Sequence, residues 1–156
     1  MILLLVWDGL RPDMIRDDLT PYLARQSREG ALCQASRAVW PSATRINAAS
    51  LSTGCYPAQH GLVDKELYAP ALDASRPISC ADWRALQQMA DLEGGRLLTA
   101  PTLGEILQQH GRRLVSGGSG SPGTTYLTNP TLTGPVINWA VAWPEAFQEE
   151  VTRRYG

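Results

Sequence analysis

Apolar residues run without interruption from Ile2 to Trp7 and stop at Asp8. That pattern predicts a strand covered on both faces, as in a parallel sheet. "DGLRPD" follows as a turn, with Gly9 and Pro12 as breakers. The next stretch, "LTPYLARQSREG", predicts a helix with Thr20 at the N-cap, Pro21 at the first helical position and Gly30 as the stop. "ALCQASRAV" predicts a second, weaker strand, and "RINAASLSTG" a short helix of small residues ended by Gly54. Residues from Pro57 to Pro77 scatter Pro, Gly and Asp and predict loop. "CADWRALQQMADLEGG" predicts a helix. "TLGEILQQHG" predicts another, with Thr102 and Glu105 as a capping box, Leu103, Ile106 and Leu107 on one face and Gly111 as the end. "RRLVSGG" predicts the next strand, "GGSGSPGTTYLTNPTLTGP" a loop-rich stretch and "WPEAFQEEVTRRYG" a last helix. This order of elements is that of an α/β domain with a mostly parallel sheet flanked by helices.

Size and charge narrow the classes. A chain of 156 residues is one compact domain. With 44% apolar and 19% charged residues the composition is that of a globular protein. A net charge of -1, with no basic stripe, gives no nucleic-acid surface. Cys33, Cys55 and Cys80 are an odd set without metal-type spacing and read as buried or partly buried thiols in a reducing compartment. The opening "MILLLVWDGL" lacks a basic leader segment and a small-residue cleavage site, and is too short to span a bilayer. The expected location is the cytoplasm, or an exported protein with a trimmed start.

In parallel sheets, ligands bind at the carboxyl ends of the strands. Asp8 and the Pro41–Thr44 loop follow the first two predicted strands and would share that rim. An Asp leaving a buried strand either ligates a hard cation or caps a turn. A Thr at a helix entrance is ordinarily a cap. The free N–H groups there also attract anions, and a threonine hydroxyl becomes a nucleophile once a base or metal removes its proton. Asn47 lies one turn on and either offers its amide N–H to a phosphoryl oxygen or serves as a packed local cap.

Three stretches together, "LLVWDGLRPD", "WPSATRIN" and "LSTGCYPAQHGLVDKELYAP", resemble in order and spacing the opening of the type I phosphodiesterase/nucleotide pyrophosphatase family of the alkaline phosphatase superfamily. The resemblance covers roughly Ile2 to Pro70. It implies an alkaline-phosphatase-like fold, and hydrolysis of phosphodiester or nucleotide pyrophosphate bonds in a small-molecule phosphate ester or nucleotide. It also implies two divalent metal ions, zinc first, with manganese or magnesium as alternatives. On this resemblance Asp8 binds one metal. Thr44 is the nucleophile, ligates that metal and becomes a phospho-threonine. Asn47 contacts a phosphoryl oxygen. His60 and Gly61 match the family pattern, but a backbone-bonding, structural His60 is the expectation.

The chain departs from the family in two places. Arg45 and Ile46 stand between Thr44 and Asn47, where the family has aromatic or Pro residues; Arg45 faces either an anionic substrate or solvent. The downstream Asp and His ligands are missing, since the two histidines are His60 and His110, and His110 sits where a helix end explains it. The expectation is therefore an incomplete catalytic domain, the N-terminal portion of a longer one. The alternative is a non-catalytic anion- or partner-binding domain of the same fold. "GSGSPG", Gly118 to Gly123, matches a dinucleotide fingerprint, but Pro122 and the following "TTYLTNP" predict a flexible loop rather than the helix that fingerprint requires.

Overall fold

A computed structural model describes residues 1–156. The chain divides into two compact units, Met1–Arg37 and Ala38–Gly156.

In the first unit, a 3-10 turn at Pro12–Met14 leads to helix α1, Pro21–Glu29. Pro21 opens the helix and Gly30 closes it, its N–H donating to the Gln26 carbonyl. Thr20 occupies the N-cap, but its hydroxyl does not cap the helix. It donates instead to the Met14 carbonyl at 2.8 Å and accepts the Arg16 N–H at 3.3 Å, tying down the turn before the helix. Arg28 grips Asp17 through two hydrogen bonds of 3.1 and 2.9 Å, which hold the Asp17 carboxyl below its ordinary range.

The apolar run departs from its prediction. Ile2–Trp7 forms no strand, and its side chains stay between 57% and 98% exposed. Ala31–Val39 forms no strand either. Cys33 in that stretch is exposed, so the expectation of a buried or partly buried thiol is not met there. A strand requires a ladder partner, and hydrophobicity alone does not supply one.

The second unit begins with α2 (Thr44–Thr53), ended by Gly54 in the left-handed region at φ 69°, and the short α3 (Pro57–His60). A two-stranded antiparallel ladder follows, β1 (Glu66–Leu67), within the stretch predicted as loop, against β2 (Ile78–Ser79), just beyond its end. Next come α4 (Trp83–Leu92), α5 (Leu103–Gln109), β3 (Ser116–Gly118), α6 (Pro122–Leu127), β4 (Val136–Asn138), β5 (Val141–Trp143) and α7 (Glu145–Tyr155). β3 pairs parallel with β4 across the α6 crossover, Gly117 opposite Ile137. β5 returns antiparallel to β4, Ile137 opposite Ala142. The fold is thus mixed α/β, but the mostly parallel sheet is not present: one pairing is parallel and the other two are antiparallel.

The core lies in this unit. Ala48 and Ala49 of α2, Leu62, Cys80, Leu86 of α4, Leu98, and Tyr126 and Leu127 of α6 bury against one another, with Trp83, Met89 and Leu132 packed around them. The small residues of α2 serve this purpose, because alanines let neighbouring elements approach closely. Burial pushes the Tyr126 hydroxyl up to about 12 and the Cys80 thiol up to about 11, so both are neutral.

The α5 cap matches its sequence signal. The Thr102 hydroxyl accepts the Glu105 N–H at 3.2 Å while Glu105 accepts the Thr102 N–H at 2.7 Å, the predicted reciprocal box. Thr102 is 1% exposed and also bonds the Thr131 hydroxyl at 3.2 Å. Replacing Thr102 with Ala is expected to cost about 1–2 kcal/mol, read as a lowered urea midpoint at unchanged slope.

The Gly118–Gly123 stretch is a second departure. Ser121 caps α6, which starts at Pro122, so "PGTTYL" is helical. Asn138 donates its side-chain amide to the carbonyls of Gly118 and Gly120 at 2.8 and 3.0 Å and to the Thr125 hydroxyl at 3.0 Å. The loop is held rather than loose.

Candidate active site

Asp8 belongs to the first unit. Leu10 N–H donates to the Trp7 carbonyl at 3.3 Å, closing a turn in which Gly9 takes φ 82°. A side chain at Gly9 would strain that backbone, and Asp8 before it is exposed on the turn. An open hollow of about 590 Å³ adjoins it, lined by Trp7, Asp8, Leu10, Leu19 and Tyr22.

Thr44 and Asn47 belong to the second unit and are brought together on the first turn of α2. A cis Trp40–Pro41 bond lies in the approach. Thr44 is the first residue of the helix, not its cap, and is exposed. The N-cap is Ala43, whose side chain accepts nothing. The helix thus presents its positive end with no capping oxygen from that residue, and the capping explanation for Thr44 does not apply at its observed position.

Asn47 holds this entrance in shape. Its Oδ1 accepts the Val39 N–H at 3.2 Å, and its Nδ2 donates to the Ala43 carbonyl at 3.0 Å. The two bonds need opposite ends of the amide, so the side chain has one orientation. The Val39–Ala43 loop is thereby pinned to the helix that carries Thr44, and the second N–H of Nδ2 is not used by these bonds.

His60 is fully buried and structural, as expected from its setting. Its Nδ1 accepts the Leu62 N–H at 3.2 Å, so the proton resides on Nε2, which donates to Ser50 Oγ at 2.9 Å. A charged ring would set N–H against N–H at Nδ1. Burial lowers its affinity for a proton. The unfolded chain then takes up the proton first as pH falls, so this contribution to stability is complete above about pH 6.5 and declines below it. Melting is expected at a lower temperature at pH 5.5 than at 7.5, with His60→Gln losing most of that difference. An equal difference in the variant refutes the assignment. His110 is exposed at the end of α5, where Nδ1 bonds the Ile106 carbonyl at 2.8 Å.

Ser50 was not singled out by sequence. It stands three residues after Asn47, on the same side of α2. Asn47 anchors the loop before the helix and Ser50 anchors α3 through His60. A pair of polar residues at that spacing in an otherwise small-residue helix was the available signal.

No group of three or more His, Cys, Asp or Glu side chains converges as a metal site. No helix is long and apolar enough to cross a membrane.

Known proteins resemble part of this chain. Human ectonucleotide pyrophosphatase/phosphodiesterase family member 1 is 33% identical over 75 residues, 47% of this chain and 8% of that protein. Venom phosphodiesterase 2 of Crotalus adamanteus is 29% identical over 85 residues, 53% of this chain and 10% of that protein. Venom phosphodiesterase of Macrovipera lebetinus is 30% identical over 80 residues, 50% of this chain and 9% of that protein. The chain therefore spans a small part of these relatives' length. No solved structure matches. The family model for type I phosphodiesterase / nucleotide pyrophosphatase extends over residues 2–155, nearly the whole chain, and with the exposed Thr44 at an uncapped helix start it leads to one assignment: the chain belongs to that family.

Proposed function

We propose that the chain carries the nucleophilic part of a phosphoryl-ester hydrolase acting on phosphodiester or nucleotide pyrophosphate bonds. The observation that carries this reading is Thr44 exposed at the first position of a helix whose N-cap is alanine. A phosphoryl group at that helix start meets the positive end of the dipole and an alcohol one residue in. Thr44 Oγ attacks phosphorus, the Oγ–P bond forms, and the ester oxygen leaves with its electron pair and takes up the proton released from the hydroxyl. Water then cleaves this phospho-threonine, whose phosphoryl group still carries the substrate's other substituent, and restores the hydroxyl. Asn47 keeps the Val39–Ala43 loop and Thr44 in register, and its remaining amide N–H is the one a phosphoryl oxygen would take.

Family resemblance implies divalent metal ions, with Asp8 and Thr44 as oxygen donors. A metal supplies a lowered alcohol pKa and charge neutralisation. Two donors fall short of the three protein ligands a catalytic zinc ordinarily has, and no further cluster of donors is present among these residues. The donor set does not fit a complete centre, and no step is assigned to a metal. A second reading, favoured by the positive start of α2 behind an alanine N-cap, is an anion-binding domain of this family without turnover.

The test is hydrolysis of a chromogenic phosphodiester with added Zn²⁺ or Mn²⁺, with peptide mapping of acid-quenched protein. Phosphorylated Thr44 supports the hydrolase. Phosphate binding with neither turnover nor phospho-threonine supports the second reading.

A further inference from the structure

Asn47 ties α2, the helix that starts at Thr44, to the loop before it, and Ser50, one turn further on, ties it to His60 at the end of α3. Ser52 and Thr53 turn back on their own helix, each donating to the Ala49 carbonyl. His60 is held on every side. The Leu62 N–H enters its Nδ1 at 3.2 Å, and its backbone carbonyl accepts the Thr99 N–H at 3.2 Å. The Thr99 hydroxyl bonds the neighbouring Gln59 carbonyl at 2.6 Å, so the backbone here is fixed from that side too. A proton added at Nδ1 would face the Leu62 N–H, and one of the two groups has to move. Leu62 is 2% exposed and belongs to the core, so the movement falls on the ring and on its bond to Ser50. The residues that meet His60 from α2, from the chain after α3 and from the segment before α5 are Ser50, Leu62 and Thr99, none of them charged. No acid or base acts on the ring; burial and a backbone hydrogen bond are the influences on it.

We propose that His60 is a positioning residue for Thr44: through Ser50 it holds α2 in place, and protonating the ring shifts the start of that helix. A helix moves as a rod, so a displacement at Ser50 reaches Asn47 one turn away and Thr44 within two. Asn47 passes it on to the Val39–Ala43 loop through its two hydrogen bonds. The chemical meaning of Thr44's position rests on the hydrolase reading, whereas the coupling itself is readable without turnover.

The experiment is an NMR pH titration of the full chain that follows the His60 ring, assigned by its loss in His60→Gln, and the backbone amides of Val39, Thr44 and Asn47. The three amides are expected to shift with the midpoint of the ring, which burial places below the ordinary value of about 6.5. Ser50→Ala is expected to leave His60 titrating while the amides lose most of that response, and Ser50→Thr, which keeps the hydroxyl, to restore it. Amides that ignore the ring's midpoint in wild type overturn the proposal. So does an undiminished response in folded Ser50→Ala, or the loss of all native signals together before the ring titrates. Where Ser50→Ala does not fold, the wild-type titration decides. In the hydrolase, kcat is expected to fall at the same midpoint on acidification, by up to about 10²-fold for an ångström-scale misplacement. Co-titration without turnover keeps the positioning role and removes the hydrolase; turnover with unresponsive amides does the reverse.

Discussion

Replacing Thr44 with alanine is expected to lower phosphodiester hydrolysis by about 10³-fold or more, because no other hydroxyl precedes it in α2 and a lost nucleophile is among the costliest single changes in hydrolases. The structure sharpens this expectation. Thr44 is not the helix cap, so its removal takes no capping bond of its own helix. The melting temperature, followed in parallel, separates lost folding from lost turnover. Thr44→Ser keeps the alcohol and should keep a measurable fraction of the rate. The measurement is steady-state release of chromophore from a phosphodiester with added Zn²⁺ or Mn²⁺, together with the phosphopeptide signal at position 44. Turnover by the alanine variant at the wild-type rate would remove Thr44 from the mechanism.

Gly123→Ala is expected to produce the largest loss of stability of any single methyl group considered. A Cβ at Gly123 would overlap the Cys80 carbonyl oxygen and come within 2.8 Å of the Ala81 carbonyl carbon and oxygen. Both neighbours are backbone and cannot rotate away. The Gly123 N–H also donates to the Ala81 carbonyl at 2.8 Å, so the contact is the seam by which α6 docks on the chain after β2. Moving α6 outward would uncover Tyr126 and Leu127, two members of the core. The cost is about 3 kcal/mol or more, and a domain of this size loses roughly 2–4 °C per kcal/mol, so melting should fall by about 6 °C or more. Gly120→Ala is the control, since the nearest atom to its Cβ is 3.9 Å away. Equal melting of the two variants would show that α6 does not pack as described.

The same contacts explain the fingerprint decoy. Within "GSGSPG", Gly123 is required by backbone approach and Gly118 by the Thr125 hydroxyl, 2.6 Å from where its Cβ would stand. The glycines are spaced for packing α6 against β3 and the core, and their match to a phosphate-binding pattern is incidental. The loop prediction failed here because Pro122 reads as a breaker in isolation, whereas at the first position of a helix capped by Ser121 it is favourable.

Local signals carried far in this chain. Helix starts and stops are written in residues that act within a few positions: the Thr102–Glu105 box, Pro21 and Gly30 around α1, Gly54 after α2. The candidate residues were legible for the same reason, since Asp8, Thr44 and Asn47 lie in short stretches whose order and spacing mark the family, and the family model bears out that membership. Strand pairing, the arrangement of the sheet, the neutrality of Cys80 and the enclosure of the His60 ring depended on residues distant in sequence. An apolar run such as Ile2–Trp7 states only that a segment favours burial; whether it becomes a strand depends on a partner's backbone groups lying alongside, which no local pattern encodes. Caps and turns close on themselves, so the chain dictates them directly, while ladders and buried polar groups are settled by what the folded molecule brings next to them.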